Sequence, residues 1–400
     1  MKLLDTKVKN DVLQTMMTII DRRRDEIIAE NKKDLDAFNR EDQALYDRLV
    51  VDQSKVDGMI QAIKEVKDQD DPVGNTISER TLNTGLKIVN KTDPFGTIMI
   101  IYESRPDVTI EAAVLAFKAN NKIFLKGGKE ANNSNIILEE CWHQALAENN
   151  LAKDWITLLH LNREETREFL SNPPEKIDLV VPRGGDKLID FVKKTAKGAV
   201  LISGRGNNFL YVAPDADWDV AKKVIINAKT DKISGCNALD KVLIDTNMPD
   251  FEHRVKDLAE TLENQYKVEI LVDGKVETAL AGKSKIPSED TWYEEFLALK
   301  IVLSSIDSFD EALEKINKYS GGHSSVIITK DNQKALDFMQ QIDSAAVYQN
   351  ASSRFTDGGQ MGVGAELAIS TDKLHHRGPL GLKQLVTNKY YVWGEGHIRE

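Results

Sequence analysis

The chain has 400 residues, and 53 Lys plus Arg stand against 64 Asp plus Glu, which gives a formal net charge of −11 at pH 7. A chain of this length buries a large core and predicts two or three domains. The acidic balance argues against a nucleic-acid-binding protein, which needs a basic surface. Two cysteines cannot form a disulfide framework, so their number favours a reducing, cytoplasmic location.

The sequence also argues against a membrane protein. The first residues lack the apolar core and the cleavage site of a secretory signal. The longest apolar runs, such as Thr97–Tyr102, fall far short of the about 18–20 residues that span a bilayer. We therefore expect a soluble, cytoplasmic globular protein of several domains.

In the first half of the chain, the spacing of apolar residues predicts helices first and an α/β region after them. A long amphipathic helix is expected over 5–30, a second helix over 53–68, and a hairpin or extended arm over 81–91. Beyond Pro94, the expected strands are 96–102, 122–126, 177–181 and 199–203, with helices over 109–119, 131–148 and up to 197. Strands that alternate with helices in this way are typical of a parallel, doubly wound sheet.

A second α/β stretch is predicted after about residue 230. Its expected strands lie near 241–245, 268–272, 300–304 and 325–329, and its helices near 251–265, 309–318 and 332–341. The pattern over 386–400 predicts a terminal strand with exposed aromatic side chains. An apolar strand at the edge of a sheet often pairs with another chain, and here a second subunit is a candidate.

Two junctions between a strand and a helix carry paired glycines beside basic residues. They are Lys126–Lys129 (KGGK) and Arg183–Gly185 (RGG). Glycines let the chain turn tightly, and the N–H groups at the start of the next helix attract anions. Neither junction has the G-x-G-x-x-G or Walker pattern. Each therefore has two readings, a structural turn or a phosphate site for a dinucleotide.

The two cysteines have different surroundings in the sequence. Cys141 lies on the apolar stripe of a predicted helix, which indicates a core residue. Cys236 follows a predicted helix, lies beside a glycine and small polar residues, and precedes a strand. It would be a nucleophile if nearby N–H groups or positive charge stabilised its thiolate, and an unreactive cysteine is the alternative. No spacing of His and Cys resembles a metal site.

Several stretches, in the same order over nearly the whole chain, resemble γ-glutamyl phosphate reductase (glutamate-5-semialdehyde dehydrogenase), a branch of the aldehyde dehydrogenase superfamily. They are residues 94–109, 125–130, 181–185, 227–230 continuing to 234–237, 345–355, 357–366 and 370–379. The resemblance implies an aldehyde-dehydrogenase-like α/β fold with two doubly wound parallel-sheet domains and a small β oligomerisation element. The resemblance implies an NADP(H)-binding domain over 1–230, in which 81–93 form part of a β oligomerisation arm. It further implies a catalytic domain over 231–385 and a β oligomerisation segment over 386–400.

The same resemblance implies the second step of proline biosynthesis from glutamate. γ-Glutamyl phosphate and NADPH would give glutamate-5-semialdehyde, phosphate and NADP⁺ through a thioester on Cys236. The implied partners are the small substrate, glutamate 5-kinase as the enzyme that makes the acyl phosphate, and further copies of the chain in a dimer or tetramer.

The resemblance also assigns residues to the site. Cys236 is the implied nucleophile, and Asn237 lines an oxyanion site with the backbone N–H of Cys236. The implied cofactor contacts are Lys126, Gly127, Lys129, Arg183, Gly184, Gly185 and Glu295. The implied substrate contacts are Arg105, Asn350, Ser353, Arg354 and His375. Residues 204–208 contain no carboxylate, and a reaction that never hydrolyses its thioester needs no base there.

The sequence departs from the family pattern at a few positions. The family usually has Gly-x-Cys-His where this chain has Gly206–Phe209, an acidic residue where it has Ser325, and a His where it has Asn317. These departures leave open an acylating dehydrogenase that acts on another acyl phosphate or thioester. A non-catalytic nucleotide-binding paralogue is a further alternative, against which the retention of Cys236 argues.

Overall fold

The computed structural model describes residues 2–39 and 43–399. The chain divides into two compact units. The first comprises Met1–Ile202, Gly362–Ala368 and Leu380–Glu400, and the second comprises Ser203–Met361 and Ile369–Pro379. Both units contain parallel sheets, as the sequence predicted.

The first unit begins with four helices and has four more among its strands. They are α1 (Thr6–Arg22), α2 (Arg24–Ala37), α3 (Gln43–Leu49), α4 (Gln53–Asp68), α5 (Pro106–Lys118), α6 (Asn132–Glu148), α7 (Arg163–Ser171) and α8 (Asp186–Thr195). The helix predicted over 53–68 is confirmed. The single helix predicted over 5–30 is wrong, because the chain breaks at Arg23, where φ is −94° and ψ is 13°. A pattern of apolar residues that continues through the break conceals it.

The strands of the first unit up to residue 202 are β1 (Thr76–Thr81), β2 (Lys87–Pro94), β3 (Thr97–Tyr102), β4 (Lys122–Lys126), β5 (Ile156–Leu158), β6 (Leu179–Arg183) and β7 (Ala199–Val200). β1 and β2 form the predicted hairpin. The other five make a parallel sheet in the order β5-β4-β3-β6-β7. The order reverses at β3, so the carboxyl ends of β3 and β6 form the kind of switch point at which open α/β sheets bind ligands.

The second unit is built on a seven-stranded parallel sheet in the order β11-β10-β12-β9-β8-β13-β14. Its strands are β8 (Asn208–Val212), β9 (Leu239–Asp245), β10 (Glu269–Asp273), β11 (Ser284–Lys285), β12 (Lys300–Ile306), β13 (Ser324–Ile328), β14 (Ala346–Gln349), β15 (Ile369–Ser370) and β16 (Gly378–Pro379). Its helices are α9 (Trp218–Thr230), α10 (Phe251–Tyr266), α11 (Val276–Ala279), α12 (Phe309–Tyr319) and α13 (Asn332–Gln341). β8, β9 and β13 are buried along their whole length, as central strands of a covered parallel sheet should be. Across the described residues, none of the helices is long and apolar enough to cross a membrane.

The compact units differ from the predicted domains at 203–230 and also at 362–368 and 380–385, which lie in the predicted catalytic domain but belong to the first unit. Residues 203–230 belong to the second unit, whereas the sequence placed them in the first domain. The reason is β8, which the sequence analysis missed and which pairs in parallel with both β9 and β13. A strand in the middle of a sheet cannot be separated from its neighbours. The functions assigned to the predicted domains stay predictions.

The end of the chain returns to the hairpin of the first unit. β17 (Val386–Trp393) pairs antiparallel with β2, and with β1 it completes a three-stranded sheet. The predicted arm and the predicted terminal strand are therefore parts of one sheet. Tyr390, Val392 and Trp393 on β17 are each at least 50% exposed.

Candidate active site

Cys236 lies in a tight turn between α9 and β9, at the amino edge of the seven-stranded sheet. The N–H of Ala238 donates to the carbonyl of Gly235 at 3.0 Å, so Gly235–Ala238 form a β-turn with Cys236 as its second residue. We call these four residues the thiol turn. Cys236 is half-buried, so its thiol is neither locked in a core nor fully open to water.

Cys141 has the opposite environment. It is fully buried in α6 and packs in the apolar core of the first unit. Burial raises the pKa of its thiol to about 11, so the thiolate is scarce at neutral pH. The prediction that Cys141 is a core residue is confirmed.

The side-chain amide of Asn208 binds the thiol turn. Its Nδ2 lies within hydrogen-bonding distance of the carbonyls of Cys236 at 2.8 Å, Ala238 at 2.7 Å and Gly206 at 2.9 Å, which share its two N–H groups. Its Oδ1 accepts the backbone N–H of Ser324 at 3.0 Å. Asn208 is completely buried. The sequence marked it only as a departure from the family, because no local pattern shows which distant carbonyls a side chain will reach.

Asn237 anchors the other side of the thiol turn, and this corrects the predicted oxyanion role of its side chain. Its Nδ2 donates to the carbonyls of Arg354 at 3.1 Å and Thr356 at 3.0 Å, so both N–H groups are used. Ser353, predicted to bind substrate, is fully buried and donates from Oγ to the carbonyl of Asn237 at 2.7 Å. Both side chains therefore hold the loop that carries Arg354 against the thiol turn.

Arg354 is placed beside the thiol turn by an ion pair. Its Nε lies 3.1 Å from Asp231 Oδ2, just after α9. Its Nη1 lies so close to Gly235 that a Cβ at that position would approach it to 2.7 Å. The guanidinium thus brings positive charge to the residue that precedes Cys236.

Glu295 also reaches the thiol turn. A Cβ on Gly206 would collide with the carbonyl oxygen of Cys236 and with Glu295 Oε1, so all three residues meet at one point. Residues 204–208 themselves carry no carboxylate. The site nevertheless contains one, because Glu295 supplies a carboxylate from a distant segment.

The peptide groups on both sides of Glu295 are fixed by two consecutive residues of β9. Lys241 Nζ donates to the carbonyl of Glu294, and Asp240 Oδ2 accepts the N–H of Phe296 at 3.0 Å. Burial lowers the pKa of Lys241 to about 8. Because β9 begins directly after the thiol turn, one strand positions both Cys236 and Glu295.

Two predicted substrate residues have other surroundings. The amide of Asn350 accepts the N–H of Thr329 at 3.0 Å and donates to its carbonyl at 2.9 Å, so Asn350 is occupied in closing the loop after β14. Its predicted contact with substrate stays a prediction. His375 lies exposed, with a φ of +73°, in the loop between β15 and β16. Thr371 of that loop lies against Gly204.

The other departures from the family have structural partners of their own. Asn207 Nδ2 donates to the carbonyls of Trp292 at 2.6 Å and Tyr319 at 2.8 Å, and Phe209 stacks on Trp292. Ser325 Oγ lies 2.8 Å from Ser344 Oγ inside the second unit. These substitutions are accommodated by the packing around them, so they leave the thiol turn intact.

A buried chain of hydroxyl groups lies behind the loop that carries Arg354. His323 Nδ1, Ser324 Oγ, Thr356 Oγ1 and Tyr348 Oη follow one another at 2.7–2.8 Å. Burial lowers the pKa of His323 to about 4, so its ring is neutral at physiological pH. The chain connects β13 and β14 to the hydroxyl of Thr356, whose carbonyl is bound by Asn237.

In the first unit, the two glycine-rich junctions differ in their need for glycine. A Cβ on Gly127 would collide with Asn135 and Tyr102, and one on Gly184 with Glu103 and Leu188, so these glycines serve the fold. At Gly185, the N-cap of α8, a Cβ would meet nothing within 4 Å, and φ is −69°. The fold itself does not require glycine at 185. A close approach of a ligand to this helix N-terminus would.

Charged side chains surround the same edge of the first sheet. Asp107 pairs with Lys55 and Arg105, each at 3.0 Å. Burial would raise the pKa of Asp107, but the two cations outweigh it and hold the pKa at about 2. Burial, with the charge of Asp107, raises the pKa of Glu111. Arg105 is thereby fixed at the start of α5.

Lys126 and Lys129 stand at the end of β4. Lys126 Nζ donates to the carbonyl of Gly127 at 2.6 Å, and burial lowers its pKa. Lys129 is exposed. Glu130 accepts from the N–H and the hydroxyl of Ser104, which ties the loop after β4 to the loop after β3. In the described ranges, no cluster of three His, Cys, Asp or Glu side chains could hold a metal ion.

The fold agrees with comparisons with known proteins. The chain belongs to the aldehyde dehydrogenase family, whose profile matches residues 1–272 and 287–366. Within that family it falls in the γ-glutamyl phosphate reductase branch. The γ-glutamyl phosphate reductase of Dictyoglomus thermophilum is 42% identical to it over 100% of this chain and 96% of the relative.

Solved structures show the same relationship. The crystal structure of γ-glutamyl phosphate reductase from Thermotoga maritima is 39% identical, has a TM-score of 0.94, and covers 99% of this chain and 95% of its own. An engineered glycolyl-CoA reductase with bound NADP⁺ has a TM-score of 0.67 at 15% identity, over 98% and 90% of the two chains. The second likeness shows the fold alone.

Proposed function

We propose that the chain reduces γ-glutamyl phosphate to glutamate-5-semialdehyde and phosphate with NADPH, through a thioester on Cys236. The observation that carries this proposal is the placement of Cys236. It is a half-buried thiol in a turn whose backbone is bound by Asn208 and Asn237, with the guanidinium of Arg354 against the preceding residue. The names of the relatives support the same reaction, which would be the second step of proline synthesis from glutamate.

Residues of the second unit have separate roles in the proposed covalent step. The Cys236 thiolate attacks the γ-carbonyl carbon, a C–S bond forms, and phosphate leaves with the electron pair of the broken C–O bond. The guanidinium of Arg354 can donate two parallel hydrogen bonds to the phosphate or the α-carboxylate of the substrate. The backbone N–H of Cys236 is the proposed donor to the carbonyl oxygen, since the side chain of Asn237 is occupied. In the reductive half the C–S bond breaks and the thiolate is regenerated.

The residues of the first unit fit a dinucleotide cofactor. α8 begins at Gly185, which has no side chain to cap it, and Arg183 ends β6 at the switch point of the sheet. We propose that Arg183, Gly184 and Gly185 hold the pyrophosphate. Lys126, Gly127 and Lys129 would hold the adenosine end, with Lys129 favouring a 2′-phosphate, and Glu295 the nicotinamide ribose. NADPH, when bound, supplies the hydride that reduces the thioester to the aldehyde.

The reverse reaction tests this proposal most simply. Repeated turnover of NADP⁺ reduction by the purified chain should require both glutamate-5-semialdehyde and phosphate. Cys236→Ser should abolish it, and Cys141→Ala, which removes the other thiol, should retain it in the folded protein. NADPH formation beyond one equivalent per site without phosphate would mean that water cleaves the thioester, with Glu295 available as the base, and would overturn the proposal. Full activity of the Cys236 variant would overturn it too.

The three-stranded sheet of the first unit supports a proposal on assembly. We propose that the exposed aromatic edge of β17 binds a second copy of the chain in a dimer or tetramer. Replacement of Tyr390 and Trp393 by Ser should then lower the mass measured by light scattering, and an unchanged mass would contradict this. In the cytoplasm, the kinase that phosphorylates the γ-carboxylate of glutamate is the expected source of the substrate.

A further inference from the structure

We infer that Asn208 is a positioning residue for the Cys236 nucleophile. The inference rests on the proposed function, because it assigns a role within the same site. Asn208 touches no reacting atom. It acts through the backbone carbonyl of Cys236, to which its Nδ2 donates at 2.8 Å.

The direction of the Cα–Cβ bond of Cys236 is set by the two peptide groups that flank its Cα. The carbonyl of Gly235, before Cys236, accepts the N–H of Ala238 at 3.0 Å. The carbonyl of Cys236, after its Cα, accepts from Asn208. Peptide groups are planar, so fixing both carbonyls fixes φ and ψ at Cys236 and with them the Cα–Cβ bond. If Asn208 were lost, one of these two constraints would go.

An amide is well suited to this position. Three carbonyls face Asn208 Nδ2, and one backbone N–H, that of Ser324, faces Oδ1. Only a side chain with N–H donors on one atom and an acceptor on the other satisfies this set, so the orientation of the amide is determined. A Cys at this position, as in the family pattern, has a single weak donor. An Asp has the shape but, when ionised, no donor at all.

The backbone at Gly206 confirms how closely the Asn208 loop approaches the thiol turn. A Cβ on Gly206 would collide with the Cα and the carbonyl of Cys236. The loop and the turn are therefore in backbone contact, and the amide joins them at their point of closest approach. Small displacements of the loop would pass directly to the nucleophile.

Asn207 provides a matched control, because it is the adjacent residue, is equally buried, and also donates to two carbonyls. Its partners are Trp292 and Tyr319, not Cys236. Asn207→Ala should therefore cost stability without loosening the thiol turn. Asn208→Ala should cost stability and also loosen the turn.

The test combines thiol reactivity with steady-state kinetics. In Asn208→Ala, the rate of Cys236 alkylation by iodoacetamide should rise severalfold above wild type, and in Asn207→Ala it should stay within about twofold. kcat of Asn208→Ala should fall by about 100-fold, the loss typical of a misplacement near 1 Å, with KM changed much less. Peptide mapping separates the alkylation of Cys236 from that of Cys141. Alkylation of Asn208→Ala at or below the wild-type rate would overturn the inference.

Asn208→Asp keeps the test decisive if the alanine variant does not fold. Its carboxylate would face three carbonyls, whereas its protonated form donates one O–H. Its alkylation rate relative to wild type should therefore approach unity as the pH falls. A ratio that does not change with pH would contradict the inference. Failure of the wild type to reduce NADP⁺ would refute the proposed function, and the alkylation rates would still decide the role of Asn208.

Discussion

The buried ion pair between Lys229 and Asp240 gives a prediction whose size follows from the structure. Lys229 Nζ lies 2.8 Å from Asp240 Oδ1, and the two side chains are 0% and 2% exposed. Burial lowers the pKa of Lys229, and Asp240 opposes that shift. Asp240→Asn keeps the shape and the acceptor for Phe296 but leaves the ammonium group without a counter-charge. Breaking a buried pair in this way costs about 3–5 kcal/mol.

An exposed pair supplies the matched control. Lys275 and Asp307 lie 2.6 Å apart, but their side chains are 62% and 66% exposed. Asp307→Asn should cost far less than Asp240→Asn, because water screens the pair. Both variants change a carboxylate to an amide beside one lysine, so they differ mainly in burial.

Urea denaturation, followed by far-UV circular dichroism and by tryptophan fluorescence, measures the two losses. The two probes are needed because a chain with two compact units need not unfold in one step. Lys229→Met combined with Asp240→Asn should recover most of the stability lost by Asp240→Asn alone, since no buried charge is left. Equal losses for Asp240→Asn and Asp307→Asn, or no recovery in the double variant, would refute the reasoning.

Three further predictions concern the surroundings of the thiol turn. Burial holds the pKa of His323 at about 4, against 6.5 when exposed, so the unfolded chain takes up a proton on this ring at a higher pH than the folded chain does. The fold therefore keeps its full stability above pH 6.5, and about 3 kcal/mol of the free energy of unfolding is lost as the pH falls to 4. His323→Gln should weaken this acid dependence, and urea midpoints at neutral and acid pH measure it; an undiminished dependence would contradict the assignment. Gly206→Ala should abolish activity, because the added Cβ would collide with Cys236. Gly58 is exposed within α4, and a Cβ there would meet no atom within 4 Å. Gly58→Ala should therefore raise the free energy of unfolding by about 0.5–1 kcal/mol. Arg354→Lys keeps the positive charge but loses the paired N–H donors of the guanidinium. KM for phosphate should therefore rise about tenfold, while thermal stability changes little. An unchanged KM would mean that phosphate binds elsewhere.

Much of the fold could be predicted because apolar residues recur at regular spacing in many of its helices and strands. β4 begins and ends where the pattern predicted, and α4, α6, α10, α12 and α13 lie within a residue or two of their expected bounds. Weak or short elements were missed. β5 has three residues, and α7 is a polar helix that begins at the capping box of Asn162 and Glu165 rather than in an apolar stripe. The strand predicted over 199–203 is only Ala199–Val200.

The candidate site shows what a sequence can and cannot reveal. Local context separated Cys236 from Cys141, because a cysteine beside Gly in a loop differs from one on an apolar helical stripe. The roles of Asn237, Ser353 and Asn350 could not be predicted, since they depend on which backbone atoms lie within about 3 Å in the folded chain. The approach of Glu295 to Gly206 depends on packing between segments about 90 residues apart.

Trapping the acyl group on Cys236 would test the central claim most directly. The chain is incubated with glutamate-5-semialdehyde and NADP⁺ but without phosphate, quenched in acid, and mapped by peptide mass spectrometry. The account predicts a glutamyl thioester on the peptide that contains Cys236, its disappearance when phosphate is added, and no adduct on Cys141. An adduct on another residue, or one on Cys236 that phosphate does not release, would contradict the account.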